Sequence, residues 1–105
     1  MENLKGSQKK YLRGLAHKLK PLVIIGYEGV TPTVIKFMLN ALEAHELVKV
    51  KFNKLKDEKE TLINELADKT QSQVAGTIGN IAIFYKMNPK EEKRKIKLPS
   101  SSSKD

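Results

Sequence analysis

Residues 22–53 read LVIIGYEGVTPTVIKFMLNALEAHELVKVKFN, and the changes of pattern within them decide the fold. Leu22-Val23-Ile24-Ile25 is a short, unbroken apolar run, which predicts a strand buried on both faces of a sheet. Gly26-Tyr27-Glu28-Gly29 predicts a loop. Thr31-Pro32 then fits an N-cap and a first helical position: the threonine oxygen can accept a first-turn N–H, and proline lacks a donor where none is needed. Val34, Ile35, Met38, Leu39 and Leu42 recur at helical spacing and define a core-facing stripe that ends near His45. From Leu47 to Asn53 the period changes to two. Val48, Val50 and Phe52 fall on one side and Lys49, Lys51 and Asn53 on the other, as in a half-buried strand with a basic outer face. A strand, a helix and a second strand over so short a span predict a right-handed crossover between parallel strands.

On the N-terminal side, Ser7–Lys20 has helical periodicity, with Tyr11, Leu12, Leu15, Ala16 and Leu19 on one arc and Pro21 as the stop. Tyr11 is expected in the core with that arc. Lys9, Lys10, Arg13, His17, Lys18 and Lys20 occupy the other arc, with no acid among them. Solvated helix faces usually mix signs and gain i,i+4 pairs. An all-basic arc forgoes those pairs, so a neutralising polyanion is the better reading. On the C-terminal side, Asp57 and Glu60 predict a capped helix start, followed by a stripe of Leu62, Ile63, Leu66, Ala67 and Thr70. Gln73–Ile78 and Ile81–Tyr85 predict a hairpin around Gly79-Asn80, with a bulge at Gly76. The order is α-β-α-β-α-β-β, an α/β (α+β) chain in a two-layer sandwich. Residues 1–98 form one domain, and 99–105, a proline followed by serines, form an expected disordered tail.

With 105 residues there is room for one modest core. No apolar run approaches the ~20 residues needed to span a bilayer, and the first residues lack the build of a secretory signal. Without cysteine there is neither a disulfide framework nor a thiolate metal site, and a cytoplasmic home is expected. The net charge of +8 is unevenly spread: residues 1–53 carry +5, residues 54–85 carry −1 and residues 86–105 carry +4. Positive charge gathered at both ends of a soluble chain points to nucleic acid ahead of a membrane surface.

Gly26 and Gly29 let a backbone approach a ligand closely, and the helix N-terminus after them favours phosphate. A GxxG clamp on an RNA backbone is one reading of this loop; a tight strand-to-helix turn is the other. Tyr27 could stack on a base or pack on its own helix. No Walker lysine or dinucleotide fingerprint follows the loop. His17 and His45 have no ligand partner at metal spacing, and no nucleophile has an arranged base. A non-enzymatic protein with no metal and no cofactor is therefore expected.

Taken together, Tyr11 to Pro21, Ile25-Gly26 with Gly29-Val30-Thr31, Ala41 to Lys51, and Arg94 to Pro99 resemble the CRM-domain family, specifically its stand-alone bacterial YhbY-like members. The likeness runs from about Ser7 to Pro99. It implies a fold similar to the C-terminal domain of bacterial translation initiation factor three: a four-stranded mixed sheet with helices packed on one face. It also implies binding of structured RNA and association with precursors of the large ribosomal subunit, plant relatives supporting organellar intron splicing. The RNA surface it implies comprises Gly26, Gly29, Arg13 and Lys20. Many relatives carry a lysine after the first loop glycine, whereas Tyr27 and Glu28 stand here, and Glu28 would repel phosphate.

The expected function is thus an RNA-binding factor of large-subunit ribosome assembly, acting as a monomer away from membranes. Lys9, Lys10, Arg13, His17, Lys18 and Lys20 would form its contact surface with Gly26, Tyr27, Gly29, Thr31, Lys49 and Lys51. Lys93, Arg94, Lys95 and Lys97 would order on binding. The competing readings are a protein-interaction module on the ribosome, with RNA contact incidental, and a duplex-DNA binder, for which no recognition helix stands out.

Overall fold

Three helices and four strands follow one another in the expected order in a computed structural model that describes residues 3–99. They are α1 (Gly6–Ala16), β1 (Val23–Ile25), α2 (Pro32–His45), β2 (Leu47–Phe52), α3 (Lys59–Thr70), β3 (Gln73–Ile78) and β4 (Ile81–Tyr85). The sheet order is β1-β2-β4-β3; β1 and β2 are parallel and the other pairs antiparallel, so the sheet is mixed. The 22–53 segment is the parallel crossover its periodicity predicts. In the β3–β4 hairpin the register shifts between Val74 and Gly76, which places the bulge at Ala75, one residue from the expected position.

The period-2 pattern sorts the sheet residues onto two faces, each with its own core. Val23, Ile25, Val50, Phe52 and Phe84 meet Met38 and Leu42 of α2 and Leu62, Ile63 and Leu66 of α3. Sheet, α2 and α3 make the two layers of the expected sandwich. On the opposite face, Leu47, Ile83 and Tyr85 meet Leu12 and Ala16 of α1, with Met87, Ile96 and Leu98 of the C-terminal segment packed alongside. The helices therefore do not all share one face, contrary to what the family resemblance implies. Leu47, just ahead of the alternation, points to the outer face and needs a cover, which α1 supplies.

Other departures have local causes. α1 ends at Ala16 and not at Lys20: the His17 N–H bonds Arg13 and Gly14 carbonyls, the Leu19 N–H bonds Ala16, and the chain turns towards Pro21. Only Leu12 and Ala16 of its apolar arc are buried; Tyr11, expected in the core, is 42% exposed. β1 is an edge strand and α1 stops short of it, so Ile24 is 55% exposed instead of buried on both sides. An apolar run without alternation cannot show which of its faces is covered. The third helix starts at Lys59, after a 3-10 turn over Lys56–Glu58 that Leu55 enters at φ +59°, so Asp57 does not cap it. In the expected tail, Pro99 is held, its carbonyl accepting from Gln8 Nε2 at 3.0 Å, while 100–105 lie outside the described residues.

Glu46 closes α2 in the left-handed region, at φ +63°, and is fully buried. One carboxylate oxygen accepts from the Asn88 N–H at 2.7 Å; the other accepts from Lys95 at 2.6 Å and Ile96 at 2.9 Å. Three charge-assisted bonds outweigh the cost of about 1 kcal/mol for a non-glycine residue at this φ. Replacing Glu46 by Ala leaves three N–H groups without that acceptor and is expected to cost roughly 3 kcal/mol or more in urea unfolding. Glu46→Gln, which turns one acceptor into a donor, should destabilise as well, and Glu46→Gly should not gain from its relaxed backbone. Faster amide exchange at Asn88 and Ile96 would accompany each change.

Tyr85 lies on the same side, and its phenol is pushed up to about 12 by burial and then by the nearby Glu46 charge, with Arg94 opposing. Below about pH 10 the phenol is protonated folded or unfolded. Above it the unfolded chain loses the proton first, so stability should fall as pH rises from about 10 towards 12. Tyr85→Phe should flatten that part of an alkaline denaturation profile. The Tyr85 hydroxyl has no hydrogen-bond partner among the described residues, so the variant should cost little stability at neutral pH.

Candidate nucleic-acid interface

The outer face of β2 is the natural place to begin, because the strand period puts Lys49 and Lys51 on it together, roughly 7 Å apart along the strand. Parallel pairing sets Ile24 of β1 beside Lys51. Two residues further on, the chain enters the glycine loop at the same end of the sheet as Asn53 and Lys54, whose N–H groups both approach the Ile25 carbonyl. At the other end, the Leu22 N–H bonds the Lys49 carbonyl, and the Lys49 ammonium donates to the Leu19 carbonyl at 2.9 Å. Lys20 is thereby set beside Lys49. This strip of lysines runs from Lys20 and Lys49 at one end of the outer face to Lys51 on the same side of β2, with Lys54 just past the end of the strand beside the glycine loop.

The loop is a closed turn: the Gly29 N–H donates to the Gly26 carbonyl at 3.1 Å. Gly29 adopts φ +69° and is buried against Leu55 and Leu62, whereas Gly26 does not take positive φ. The helix start is similarly committed. Pro32 has no N–H, the Val34 N–H goes to Thr31 Oγ1 at 3.1 Å, and the Ile35 N–H goes to the Thr31 carbonyl. Gly29 and Thr31 thus shape the turn, and of the donors at the helix start Pro32 offers none and the Val34 N–H is taken by the Thr31 cap. Tyr27 does not pack on α2; it is 76% exposed, with the Lys54 ammonium 4.8 Å from its ring centre. Such a contact is worth about 0.5–1 kcal/mol at an exposed site and sets a cation beside an open aromatic face. Glu28 is exposed next to it.

The basic arc predicted for one helix is divided between two places. Lys9 is half-buried and Lys10 exposed on α1, with His17 at its C-cap, but Lys18 and Lys20 belong to the link into β1. Arg13 is drawn to the opposite edge of the sheet. Its guanidinium donates to the Ala75 carbonyl at 3.0 Å, at the bulge, and its stem lies where a Cβ on Gly76 would come within 2.5 Å of Arg13 Cδ. The structure therefore sets Lys20 and Lys49 together at one end of the outer face and Lys54 against Tyr27 at the other, and it holds Arg13 at the opposite edge of the sheet. Lys93, Arg94, Lys95 and Lys97 already have defined places, with the Lys95 N–H on Glu46 and Arg94 Nε donating to the Asn88 carbonyl at 2.9 Å. Sequence reasoning missed Lys54, whose position just past β2 was the available signal; Lys95 was named with the tail lysines, but only the Glu46 fold-back gives its place.

Little of this charge is neutralised internally. Among the described residues there is a single ion pair, Lys69 with Glu65 at 2.7 Å, an i,i+4 pair on α3. No helix among the described residues is long and apolar enough to cross a membrane.

A mixed four-stranded sheet, a parallel crossover through a glycine turn and a basic outer strand place the chain in a defined class of small α+β domains. Residues 4–86 match the CRS1/YhbY (CRM) domain, and the chain belongs to that family. It is 41% identical over 100 residues to a Haemophilus influenzae protein named "RNA-binding protein", covering 94% of this chain and 98% of that one. It is 38% identical over 97 residues to YqeI of Bacillus subtilis, named a "Probable RNA-binding protein", covering 91% and 99%. Among solved structures it is similar to SAV1595 from Staphylococcus aureus, described as a candidate RNA-binding protein. That match has a TM-score of 0.75 and 35% identity, and covers 91% of this chain and 99% of that one.

The Arg13 geometry makes a direct prediction. Arg13→Ala and Gly76→Val each disturb the same contact and should each lower stability by about 1 kcal/mol. Because they share it, the double variant should fall clearly short of the sum in a thermal double-mutant cycle.

Proposed function

We propose that the protein binds structured RNA through its phosphate backbone, as a factor that associates with precursors of the large ribosomal subunit and carries out no catalytic step of its own. The observation that carries this reading is the un-neutralised lysine strip, Lys20, Lys49, Lys51 and Lys54, running to an exposed aromatic ring. Cations aligned at strand spacing suit successive phosphates, and Tyr27 offers a face on which an unpaired base can stack, a contact worth roughly 1–3 kcal/mol. RNA is favoured over DNA by the names of the relatives and by the family. The ribosomal target is supported by the resemblance to stand-alone bacterial members.

With about four phosphates engaged, affinity for a hairpin taken from large-subunit ribosomal RNA should fall roughly 50- to 150-fold between 50 and 200 mM salt. Fluorescence anisotropy on the labelled hairpin measures this. Lys49→Glu with Lys51→Glu should weaken binding and flatten the salt slope, both side chains being on the open face and outside the two cores. A matched DNA duplex should bind more weakly at each salt concentration. Affinity indifferent to both salt and charge reversal would remove the phosphate mechanism. Crosslinking in cells that returned no enriched large-subunit fragment would remove the ribosomal target.

A further inference from the structure

Beside the lysine strip, where α1 gives way to β1, the surface sinks into a hollow of about 450 Å³. Leu15, Leu19 and Leu22 form its walls and are 40%, 41% and 45% exposed, while Leu47 and Val48 form a buried floor. Ile96 closes the far side, placed there by the bond from its own N–H to Glu46. The mouth is cationic, formed by Lys20, Lys49 and Lys95, with His45 next to them and no acidic side chain in the lining. Lys49 is held across this mouth by its bond to the Leu19 carbonyl, which leaves two of its three donors for a ligand.

We infer that this hollow takes one unstacked nucleobase of the bound RNA, with the phosphates on either side of it held by Lys20, Lys49 and Lys95. The inference rests on the RNA reading above and adds a specific subsite to it. Its volume lies within the range of small-ligand sites. Its chemistry matches one nucleotide: an apolar recess for a flat base and ammonium groups around the opening for its phosphates. Lys20 and Lys49 belong to both the hollow and the strip, so one polyanion can occupy the two together. A protein segment seated in the hollow would have to displace RNA from those two lysines. Structured RNA presents such bases at bulges and loops, and it is there that sequence-dependent recognition concentrates.

The test compares two labelled RNA hairpins of identical stem at matched salt, one with a single bulged adenosine and one with an abasic residue at the bulge. The full chain is expected to prefer the adenosine bulge about fivefold or more. A 2-aminopurine at the bulge should change its fluorescence on binding as it leaves water. In Leu15→Ser with Leu22→Ser the preference should fall to about one; Leu22→Ser alone, at the more exposed wall position, should give a partial loss. Melting curves confirm that each variant is folded. Equal, salt-dependent affinity for both hairpins would overturn the subsite and leave the RNA reading standing, whereas failure to bind either hairpin would overturn both. Saturable binding of a leucine-rich acidic helical peptide, lost in the double variant and not displaced by either hairpin, would overturn the inference in favour of a protein partner.

Discussion

A carboxylate without water around it must find donors, and Glu46 finds three on a stretch of chain that has little regular structure of its own. Residues 86–99 contain only one short 3-10 turn, yet they are fastened to the α2–β2 junction by the N–H groups of Asn88, Lys95 and Ile96. The helix dipole at the end of α2 is unfavourable for a negative charge, by a few tenths of a kcal/mol up to about 1. Three bonds of roughly 1.5–3 kcal/mol each decide the balance the other way. Fastening the segment brings Met87, Ile96 and Leu98 onto the second core, gives α1 a neighbour on the outer face and sets Lys95 beside Lys49. The recessed side of the lysine strip depends on this one buried group.

The outer face is also shaped by where α1 ends. A helix continued to Lys20 would have carried Lys18 and Lys20 on its own cylinder and covered more of the β1 edge. The turn at His17 instead lowers the chain towards the sheet and leaves Leu19, Leu22 and Ile24 partly open. Exposed leucines on a protein this small cost little individually, but together with a row of lysines they form an amphipathic surface.

Much of this was legible in the residues. Element order, the parallel crossover, the hairpin and the inward and outward residues of β2 follow from periods of 3.6 and 2, because amphipathic elements can bury only one side. The α3 stripe was equally plain, with Leu62, Ile63, Leu66 and Thr70 buried. What could not be read was tertiary in origin. The wheel for residues 7–20 gives the angular position of Arg13, but the carbonyl of a bulge more than sixty residues away determines where its guanidinium goes. Glycine spacing indicates that a turn can form; whether its N–H groups remain free depends on the turn's own hydrogen bond and on Thr31. Nothing in the sequence around Glu46 announces its burial, because its partners come from a polar segment with no periodicity.

Both arginines of the chain, Arg13 and Arg94, donate to main-chain carbonyls and help fix the fold. The charge facing outward from the strip is therefore entirely lysine. Guanidinium forks recognise phosphates and guanine edges bidentately, whereas an ammonium acts as a mobile, well-hydrated point charge. A lysine strip binds a phosphate backbone strongly at low salt but carries almost no sequence information. Discrimination must then come from the path the backbone follows and from any base that leaves the helix to meet the protein. On the proposed reading Tyr27 would be one such point at the loop, where Glu28 disfavours a phosphate and so leaves room for a base-centred contact. The hollow at the other end of the strip would be a second, and the distance along β1 between the two would then limit which RNA shapes can satisfy both.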